Sequence, residues 1–312
     1  MDKPLTAYQA CFVVKDVGAA VKFCSEQLGW GPFQHFKIPT SNAQYRDWRG
    51  NKLTEVALGM AGRAQIELIH VHSGQDAIQQ YQSRLGTGLQ HLGVLCQSTD
   101  DALEHVGALG AVLNDRNQYG EITFSFIDVP QGPALIELLE RGEQGLPSAK
   151  STDEHGTTIG KTVQGRHARL LLDRATLVTT EIESAAAFYG KSFDQEFISI
   201  TDDTLRYSAT ALTAPTSSSA SCDVRARRCL IDAGVLEIEL IQLLEDDPHL
   251  YSKQLERATR HGGHGLVHVG GRDCTKLDIP RNQRIEGEWL ECREVFSVFT
   301  GPDELSSIQI RH

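Results

Sequence analysis

The chain has 312 residues, which exceeds the usual size of one hydrophobic core and favours two domains of about 150 residues each. Thirty lysines and arginines stand against 41 aspartates and glutamates, and the formal net charge of −11 disfavours nucleic acid and anionic membrane surfaces as partners. The sequence has no uninterrupted apolar stretch of about 18 residues and no secretory leader pattern, so we expect a cytoplasmic protein that binds a small molecule.

Cysteine usage points to a reducing compartment. The seven cysteines are an odd number, spread along the chain without C-x-x-C pairs, which argues against a disulfide framework and against a zinc ribbon. We interpret Cys11, Cys24 and Cys96 as small buried apolar residues.

The first half begins with a strand and a helix. The strand is predicted at Gln9–Val14, the helix is capped by Asp16, and Gly29 ends it. Three β-rich runs follow: PFQHFKI, LTEVALGM and AQIELIHV.

The same order then recurs within this half. A strand is predicted at His91–Cys96, followed by a helix that begins near Thr99 and ends at Gly110. Three further β-rich runs follow it: AVLNDR, ITFSFIDV and ALIELLE. Strand, helix and three strands therefore occur twice.

A longer repeat relates the two halves of the chain. The segment Ala10–Gly29 aligns without gaps on Ala175–Asp194, and AQIELIH and GLQHLG are echoed downstream by LEIELIQ and GLVHVG. The polar segment Glu143–Gly165, rich in Gly, Ser and Thr, is typical of a linker. We predict an N-terminal domain at 1–142, a linker at 143–165 and a C-terminal domain at 166–312.

A βαβββ unit leaves one face of its sheet exposed and needs a partner. Two such units in each half would form a cupped mixed sheet with helices outside, an α+β fold with a concave interior that can hold a ligand.

Four side chains recur at equivalent places on this frame. Gln9 and His91 lie at the starts of the strands that open the two units, and Glu67 and Glu137 lie in the I-E-L sequences of their last strands. Imidazole, amide and carboxylate donors suit one divalent ion such as Zn, Ni, Co, Mn or Mg, and a set without thiolate argues against a structural cysteine-type zinc site. Strand parity places further, mostly apolar residues on the same face: Cys11, Val13, Ile69, Gly93, Leu135 and Leu139.

Each of these four side chains could instead serve the fold alone. His91 could be a core histidine, Gln9 a surface or hydrogen-bonding amide, and either glutamate the partner of a salt bridge, because a buried carboxylate needs a counter-charge.

The phrases VVKDVGAAVKF and LGWGPF resemble the vicinal-oxygen-chelate superfamily, which includes glyoxalase I, methylmalonyl-CoA epimerase, bleomycin-resistance proteins and extradiol dioxygenases. The resemblance is strongest to the glyoxalase I and epimerase-like branch. It implies that Gln9, Glu67, His91 and Glu137 bind a metal ion that stabilises an enolate after a proton is abstracted next to a carbonyl. In this interpretation Glu137 is the base, and Glu67 is a ligand or a second base.

The corresponding positions of the second half are Arg174, Glu239, His268 and Gln309. An arginine there would repel a cation and Gln309 replaces a carboxylate, so we predict a degenerate site. Pro280 also interrupts the helix expected after His268. Extradiol dioxygenases, by the same resemblance, hold iron with two histidines and a glutamate in the C-terminal domain, which argues against ring cleavage here.

Two alternatives to a lyase or isomerase stay open, namely a non-catalytic small-molecule binding or resistance protein and, less favoured, a ring-cleaving dioxygenase. The substrate is expected to be a small carbonyl compound, and the protein a monomer or a homodimer.

The remaining histidines and a basic run have simpler interpretations. His70 and His72 have the opposite parity to Glu67 and should face away from the metal. The histidines of RHGGHGLVHVGG, His261, His264 and His268, are typical of turn residues, and the run Arg225–Arg228 is typical of a solvated turn.

Overall fold

The computed structural model describes residues 5–119, 122–130, 135–140, 170–208, 221–245, 267–273, 284–289, 294–299 and 308–311. The predicted linker at 143–165 and Pro280 lie outside these residues. Strands and helices of the first half are β1 (Leu5–Val13), α1 (Val17–Phe23), β2 (Gln34–Tyr45), β3 (Trp48–Ala61), β4 (Ala64–Ser73), α2 (Ala77–Leu85), β5 (Gly88–Cys96), α3 (Thr99–Ala108), β6 (Val112–Tyr119), β7 (Ile122–Asp128) and β8 (Leu135–Glu140).

The described elements of the second half are one helix and eight strands. They are β9 (Leu170–Val178), α4 (Ile182–Ser192), β10 (Thr201–Ser208), β11 (Ser221–Asp232), β12 (Glu237–Leu243), β13 (Val267–Asp273), β14 (Arg284–Trp289), β15 (Glu294–Phe299) and β16 (Ile308–Arg311). None of the helices in the described ranges is long and apolar enough to cross a lipid bilayer.

Each half forms one mixed sheet with the opening strands of its two units side by side at the centre. The first sheet has the order β2-β3-β4-β1-β5-β8-β7-β6, in which β1 runs parallel to β4 and antiparallel to β5. The predicted fold of βαβββ units in a curled sheet with helices outside is confirmed. The second sheet differs from the expected open cup because β10 pairs with β14 and closes it into a barrel.

The helix signals in the sequence act as predicted. The Asp16 carboxylate caps α1 by accepting a hydrogen bond from the Ala19 backbone nitrogen at 2.8 Å. After α1 the chain makes a π-helical turn at Cys24–Leu28 and leaves the helix at Gly29, whose φ of +73° suits glycine. Helix α3 begins at Thr99 as predicted, and Ser98 caps it.

Helix α2 was not predicted. It joins β4 to β5, and the Asp76 carboxylate caps it by accepting from the Gln79 backbone nitrogen at 2.7 Å and pairs with Lys52 Nζ at 2.9 Å. Ala77 and Ile78 pack in the same apolar cluster as Cys11, on the inner face of the first sheet. The helix therefore covers part of the concave face.

The outer faces of the two sheets share a hydrophobic core. One cluster of buried side chains runs from Phe12 and Leu92 in the first half to Leu177 and Leu240 in the second. Backbone hydrogen bonds also join the halves, including Ala7 N to Ala233 O at 2.7 Å. The inner face of the first sheet is thus separate from the main core.

Candidate metal centre

Two neighbouring rows of residues cross the centre of the first sheet on its inner face. In each row the residues face one another across paired strands, and adjacent rows are two residues apart along each strand. The first row is Glu67, Cys11 and His91, and the second is Gln65, Gln9, Gly93 and Glu137. Strand register therefore brings the four predicted residues into one small area.

His91 lies between the two glutamates. Its Nε2 atom is 3.4 Å from Glu67 Oε2 and 3.3 Å from Glu137 Oε2. His91 is 1% exposed and Glu137 is 7% exposed, whereas the side chain of Glu67 is 13% exposed. Of these three side chains Glu67 is the most accessible to solvent.

The orientation of the His91 ring is set by its neighbours. Its Nδ1 atom contacts the Oε1 atom of buried Gln90, and the ring packs edge to face on Phe126 with centroids 5.1 Å apart. With the Gln90 oxygen as acceptor, Nδ1 carries a proton. The opposite nitrogen, Nε2, is buried and has no aligned hydrogen-bond partner. In the neutral ring, its lone pair faces two carboxylates, an arrangement that a cation would stabilise.

Gln9 presents an oxygen to the same area. Its Nε2 donates to Gln65 Oε1 at 2.7 Å, while its own Oε1 is buried without a partner. That oxygen lies directly over Gly93, because a Cβ atom placed on Gly93 would be 2.4 Å from it. Gly93 therefore leaves the space into which the Gln9 amide projects. Both Gln9 and His91 lie inside their strands rather than at the starts.

Cys11 is the residue whose role the sequence did not indicate. Its sulfur is fully buried, and the ligand atoms of Cys11, Glu67 and His91 all lie within 4.8 Å of one another. Glu137 is outside this compact group. Cys11 was predicted to be a buried packing residue. The strand register also places it between two predicted ligands, Glu67 and His91.

Tyr8 is a second residue that strand parity missed. A register irregularity between Ala7 and Gln9 lets the Tyr8 hydroxyl reach the Gln65 Oε1 atom at 3.4 Å, the same oxygen that accepts from Gln9. Burial, and then the negative charges of Glu137 and Glu67, raise the pKa of Tyr8 well above its usual value. Tyr8 is thus a neutral hydrogen-bond donor beside the carboxylates.

The electrostatics of the centre are dominated by the two carboxylates. Burial alone would lower the pKa of His91, but the attraction of Glu137 and Glu67 outweighs it and raises this pKa to about 9. Burial raises the pKa of Glu137, only partly opposed by His91. The two carboxylates therefore favour the protonated form of His91.

The arrangement fits a divalent ion. Two donors of a tetrahedral zinc site with bonds of 2.0–2.1 Å lie about 3.4 Å apart, which matches both separations from His91 Nε2. Within the described residues, His91 is the only side chain able to carry positive charge that forms an ion pair with Glu67 or Glu137. Gln9 Oε1, Glu67, Glu137 and His91 Nε2 could thus hold an ion.

The second half has the same register but different chemistry. Thr176 lies between Glu239 and His268, and Arg174 lies between Glu237 and Gly270, which in turn faces Gln309. These are the positions that correspond to the two rows of the first half.

Arginines compensate the buried carboxylate of the second half. Arg228 Nε and Arg174 Nη1 donate to Glu239 Oε1 at 3.0 and 3.4 Å, and Thr176 Oγ1 donates to Glu239 Oε2 at 2.6 Å. Burial would raise the pKa of Glu239, but Arg228 and Arg174 outweigh it and hold this pKa below its usual range. Glu239 corresponds to Glu67, which we predict to bind a metal ion. In the second half arginine side chains neutralise this carboxylate instead.

The prediction of a solvated turn at Arg225–Arg228 is wrong. These residues lie in β11, where Arg228 is buried and also donates to Asp203 Oδ2 at 3.1 Å. Alternation along the strand buries Arg228 while Arg225 stays at the surface and pairs with Glu245. A run of arginines in a strand thus supplies one counter-charge to the barrel interior.

Three further histidines of the described residues have partners away from the centre. His70 Nδ1 bonds to the Val14 carbonyl oxygen at 2.8 Å, and His72 Nε2 and His35 Nε2 contact the two oxygens of Glu55 at 2.6 and 2.5 Å. His261 and His264 lie outside the described residues.

The first half of the chain matches a known family. Residues 8–126 match the model of the Glyoxalase/Bleomycin resistance protein/Dioxygenase superfamily. The chain is similar in structure to a mutant of 4-hydroxymandelate synthase from Streptomyces coelicolor, with a TM-score of 0.61 and 14% identity over 99% of this chain and 93% of that one. No curated protein matches the sequence.

A second solved structure matches the whole chain. It is a xylose isomerase-like TIM barrel/4-hydroxyphenylpyruvate dioxygenase fusion protein, with a TM-score of 0.52 and 16% identity over 99% of this chain. Our chain covers 50% of that longer protein. At these identities the two structures show a shared fold, and the branch of the superfamily stays a prediction.

Proposed function

We propose, from the premise that residues 8–126 form a domain of the glyoxalase, bleomycin resistance protein and dioxygenase superfamily, that this protein is a divalent-metal-dependent lyase or isomerase. Its reaction would abstract a proton next to the carbonyl of a small organic substrate. The observation that carries the proposal is the convergence of the Glu67 and Glu137 carboxylates on the buried His91 Nε2, which has no aligned hydrogen-bond partner.

The residues divide into ligands and a base. Gln9, Glu67 and His91 would hold the ion, since Glu67 and His91 belong to the compact group of ligand atoms and the Gln9 oxygen lacks another partner. When bound, the ion would act as a Lewis acid that polarises the substrate carbonyl. Glu137 would be the base, or a fourth ligand that is displaced when substrate binds.

Glu137 suits proton transfer because of its environment. It lies outside the compact group, and Oε2 is the oxygen that pairs with His91. Burial raises its pKa above the usual value, the direction that makes a carboxylate a stronger base. Tyr8, held neutral by burial and then by the same carboxylates, would move its hydrogen bond from Gln65 Oε1 to a substrate oxygen.

The second half would bind no metal. We propose one ion per chain, because Arg174 and Arg228 already neutralise Glu239 at the position that corresponds to Glu67. In the same proposal the domains span 1–142 and 166–312. A measured stoichiometry of two ions per chain would contradict this assignment.

The test begins with metal-stripped protein. Zn²⁺, Ni²⁺, Co²⁺, Mn²⁺ and Mg²⁺ are titrated into the parent, His91→Ala and Glu137→Gln, and each loaded protein is then incubated in D2O with a panel of 2-oxo acids and thioesters. We expect His91→Ala to lose ion binding, and Glu137→Gln to bind the ion but lose exchange of the proton next to the carbonyl, measured by NMR. If His91→Ala binds ions as tightly as the parent, the proposal fails.

Two other functions are outcomes of the same test. A protein that binds panel compounds, binds no ions and exchanges no protons would be a binding module. In that case Glu137→Gln would bind the compounds as tightly as the parent. With Fe²⁺ added to the series, dioxygen uptake by the Fe²⁺-loaded protein would favour a dioxygenase, an activity that the name of the second similar structure contains. The residues of the candidate centre include one histidine rather than the two of the usual iron triad, which favours the lyase or isomerase.

A further inference from the structure

The Cys11 thiol occupies the middle of the candidate centre. In the row Glu67, Cys11 and His91 it is the central residue, and it is a free, fully buried cysteine. A buried cysteine alone indicates only packing. Here a neighbouring polar atom, Gln9 Oε1, is also buried and has no hydrogen-bond partner, and the buried His91 Nε2 faces only two carboxylates, at 3.3 and 3.4 Å. The surroundings of the sulfur are therefore those of a ligand site.

The separations fit a single ion. With metal–ligand bonds of 2.0–2.3 Å at tetrahedral angles, two donors of one zinc ion lie about 3.3–3.8 Å apart. The donor atoms of Cys11, Glu67 and His91 are all within 4.8 Å of one another, so a contraction of at most about 1.5 Å brings them to one ion. Oxygen, nitrogen and sulfur would then meet on the same side of the sheet.

The second half shows where a side chain at this position points. Thr176 occupies the position that corresponds to Cys11, and its Oγ1 atom donates to Glu239 Oε2 at 2.6 Å. Glu239 corresponds to Glu67. In both halves, then, the central strand directs a short polar side chain at the carboxylate beside it.

We propose that Cys11 supplies a further ligand, a thiolate, and that the centre therefore prefers a thiophilic divalent ion such as Zn²⁺ or Co²⁺ to Mg²⁺ or Mn²⁺. The proposal rests on the proposed function only for the binding of an ion at Glu67 and His91. On binding, the Cys11 S–H bond breaks, its proton leaves to water and a sulfur–metal bond forms. No electron is transferred, so no oxidant is required.

The test uses Co²⁺ and the full-length protein. Cobalt bound by a thiolate has a sulfur-to-metal charge-transfer band in the near ultraviolet, and this band reports the bond without any assay of activity. We expect the band in the parent and in Cys96→Ser, and its loss in Cys11→Ser. Cys96 is a matched control because it is also free and buried, but its sulfur contacts the Leu139 carbonyl oxygen.

Affinity gives a second readout. Cys11→Ser should weaken Zn²⁺ binding by at least the roughly 10- to 100-fold that changes to outer-shell partners cause, and should leave Mg²⁺ binding nearly unchanged. The parent spectrum keeps the test decisive even if Cys11→Ser does not fold. A parent that binds one Co²⁺ through His91 without the band refutes the thiolate and leaves the proposed function standing. A parent that binds no ion refutes both.

Discussion

Gly93→Ala tests the geometry of the candidate centre with one methyl group. Gly93 lies between Gln9 on β1 and Glu137 on β8, and a Cβ atom there would be 2.4 Å from Gln9 Oε1 and 2.7 Å from Gln9 Cβ. The amide can rotate away, but the Gln9 Cβ atom is fixed by the backbone. We therefore expect a cost within the about 1–3 kcal/mol of an overpacked interior.

The same methyl group should weaken ion binding. Because it displaces the Gln9 oxygen, we expect the Kd for Zn²⁺ to rise by roughly 10- to 100-fold, the range for changes around a metal site. Urea unfolding of the metal-stripped protein measures the stability change, and isothermal titration calorimetry measures the Kd. The double variant Gln9→Gly/Gly93→Ala should recover part of the lost stability, because glycine at position 9 also lacks the Cβ atom that clashes.

Gly107→Ala is the matched control. Gly107 is in α3, and a Cβ atom there would have nothing within 4 Å. In a helix this substitution should stabilise the protein by about 0.5–1 kcal/mol without any effect on the ion. If Gly93→Ala binds Zn²⁺ as tightly as the parent, Gln9 is not a ligand. If it also unfolds at the same urea concentration as the parent, the added methyl group does not clash with Gln9.

Three further changes probe the surroundings. Gln90→Leu removes the acceptor that contacts His91 Nδ1 and should weaken Zn²⁺ binding by roughly 10- to 100-fold, whereas Gln90→Glu should retain it; calorimetry separates the two. Glu239→Gln leaves two buried guanidinium groups less compensated and should lower the unfolding free energy by about 3–5 kcal/mol in urea at neutral pH. The arginines lower the Glu239 pKa, so its stabilisation is present above the usual pKa of 4.5 and is lost as the pH falls through the lowered value; Glu239→Gln should therefore show a flatter acid profile. Asp76→Ala removes the cap of α2 and the partner of Lys52 and should destabilise by about 1–2 kcal/mol in thermal unfolding; an unchanged melting temperature would contradict the role of this cap.

The sequence predicts the frame of the centre because that frame depends on local periodicity. Alternation along strands places Glu67 and Ile69, or Glu137 and Leu139, on one face, and the internal repeat identifies the opening strands. Helix caps such as Asp16 are equally local signals. These features require no knowledge of which strands are neighbours.

Features that depend on register or on irregular backbone could not be predicted in the same way. In the sequence, Cys11 looks like a small buried packing residue. Only the pairing of its strand with those of Glu67 and His91 places it in the candidate centre. Tyr8 has the wrong parity until a register irregularity turns it inward. Arg228 looks like part of a solvated basic run until β11 buries it.

The two halves solve the same electrostatic problem differently. Both place a glutamate in the strand beside the central one, where an uncompensated carboxylate would be costly. In the second half Arg228 and Arg174 supply positive charge to Glu239 directly. In the first half Gln9 stands at the position of Arg174, and the described ion-pair partner of Glu67 and Glu137 is one histidine for two carboxylates. A bound divalent ion would supply the missing charge, so the substitution Gln9→Arg should stabilise the metal-stripped protein while it abolishes ion binding, as thermal unfolding with and without Zn²⁺ would show. A Gln9→Arg protein that still binds Zn²⁺ with parental affinity would contradict this account of the difference between the halves.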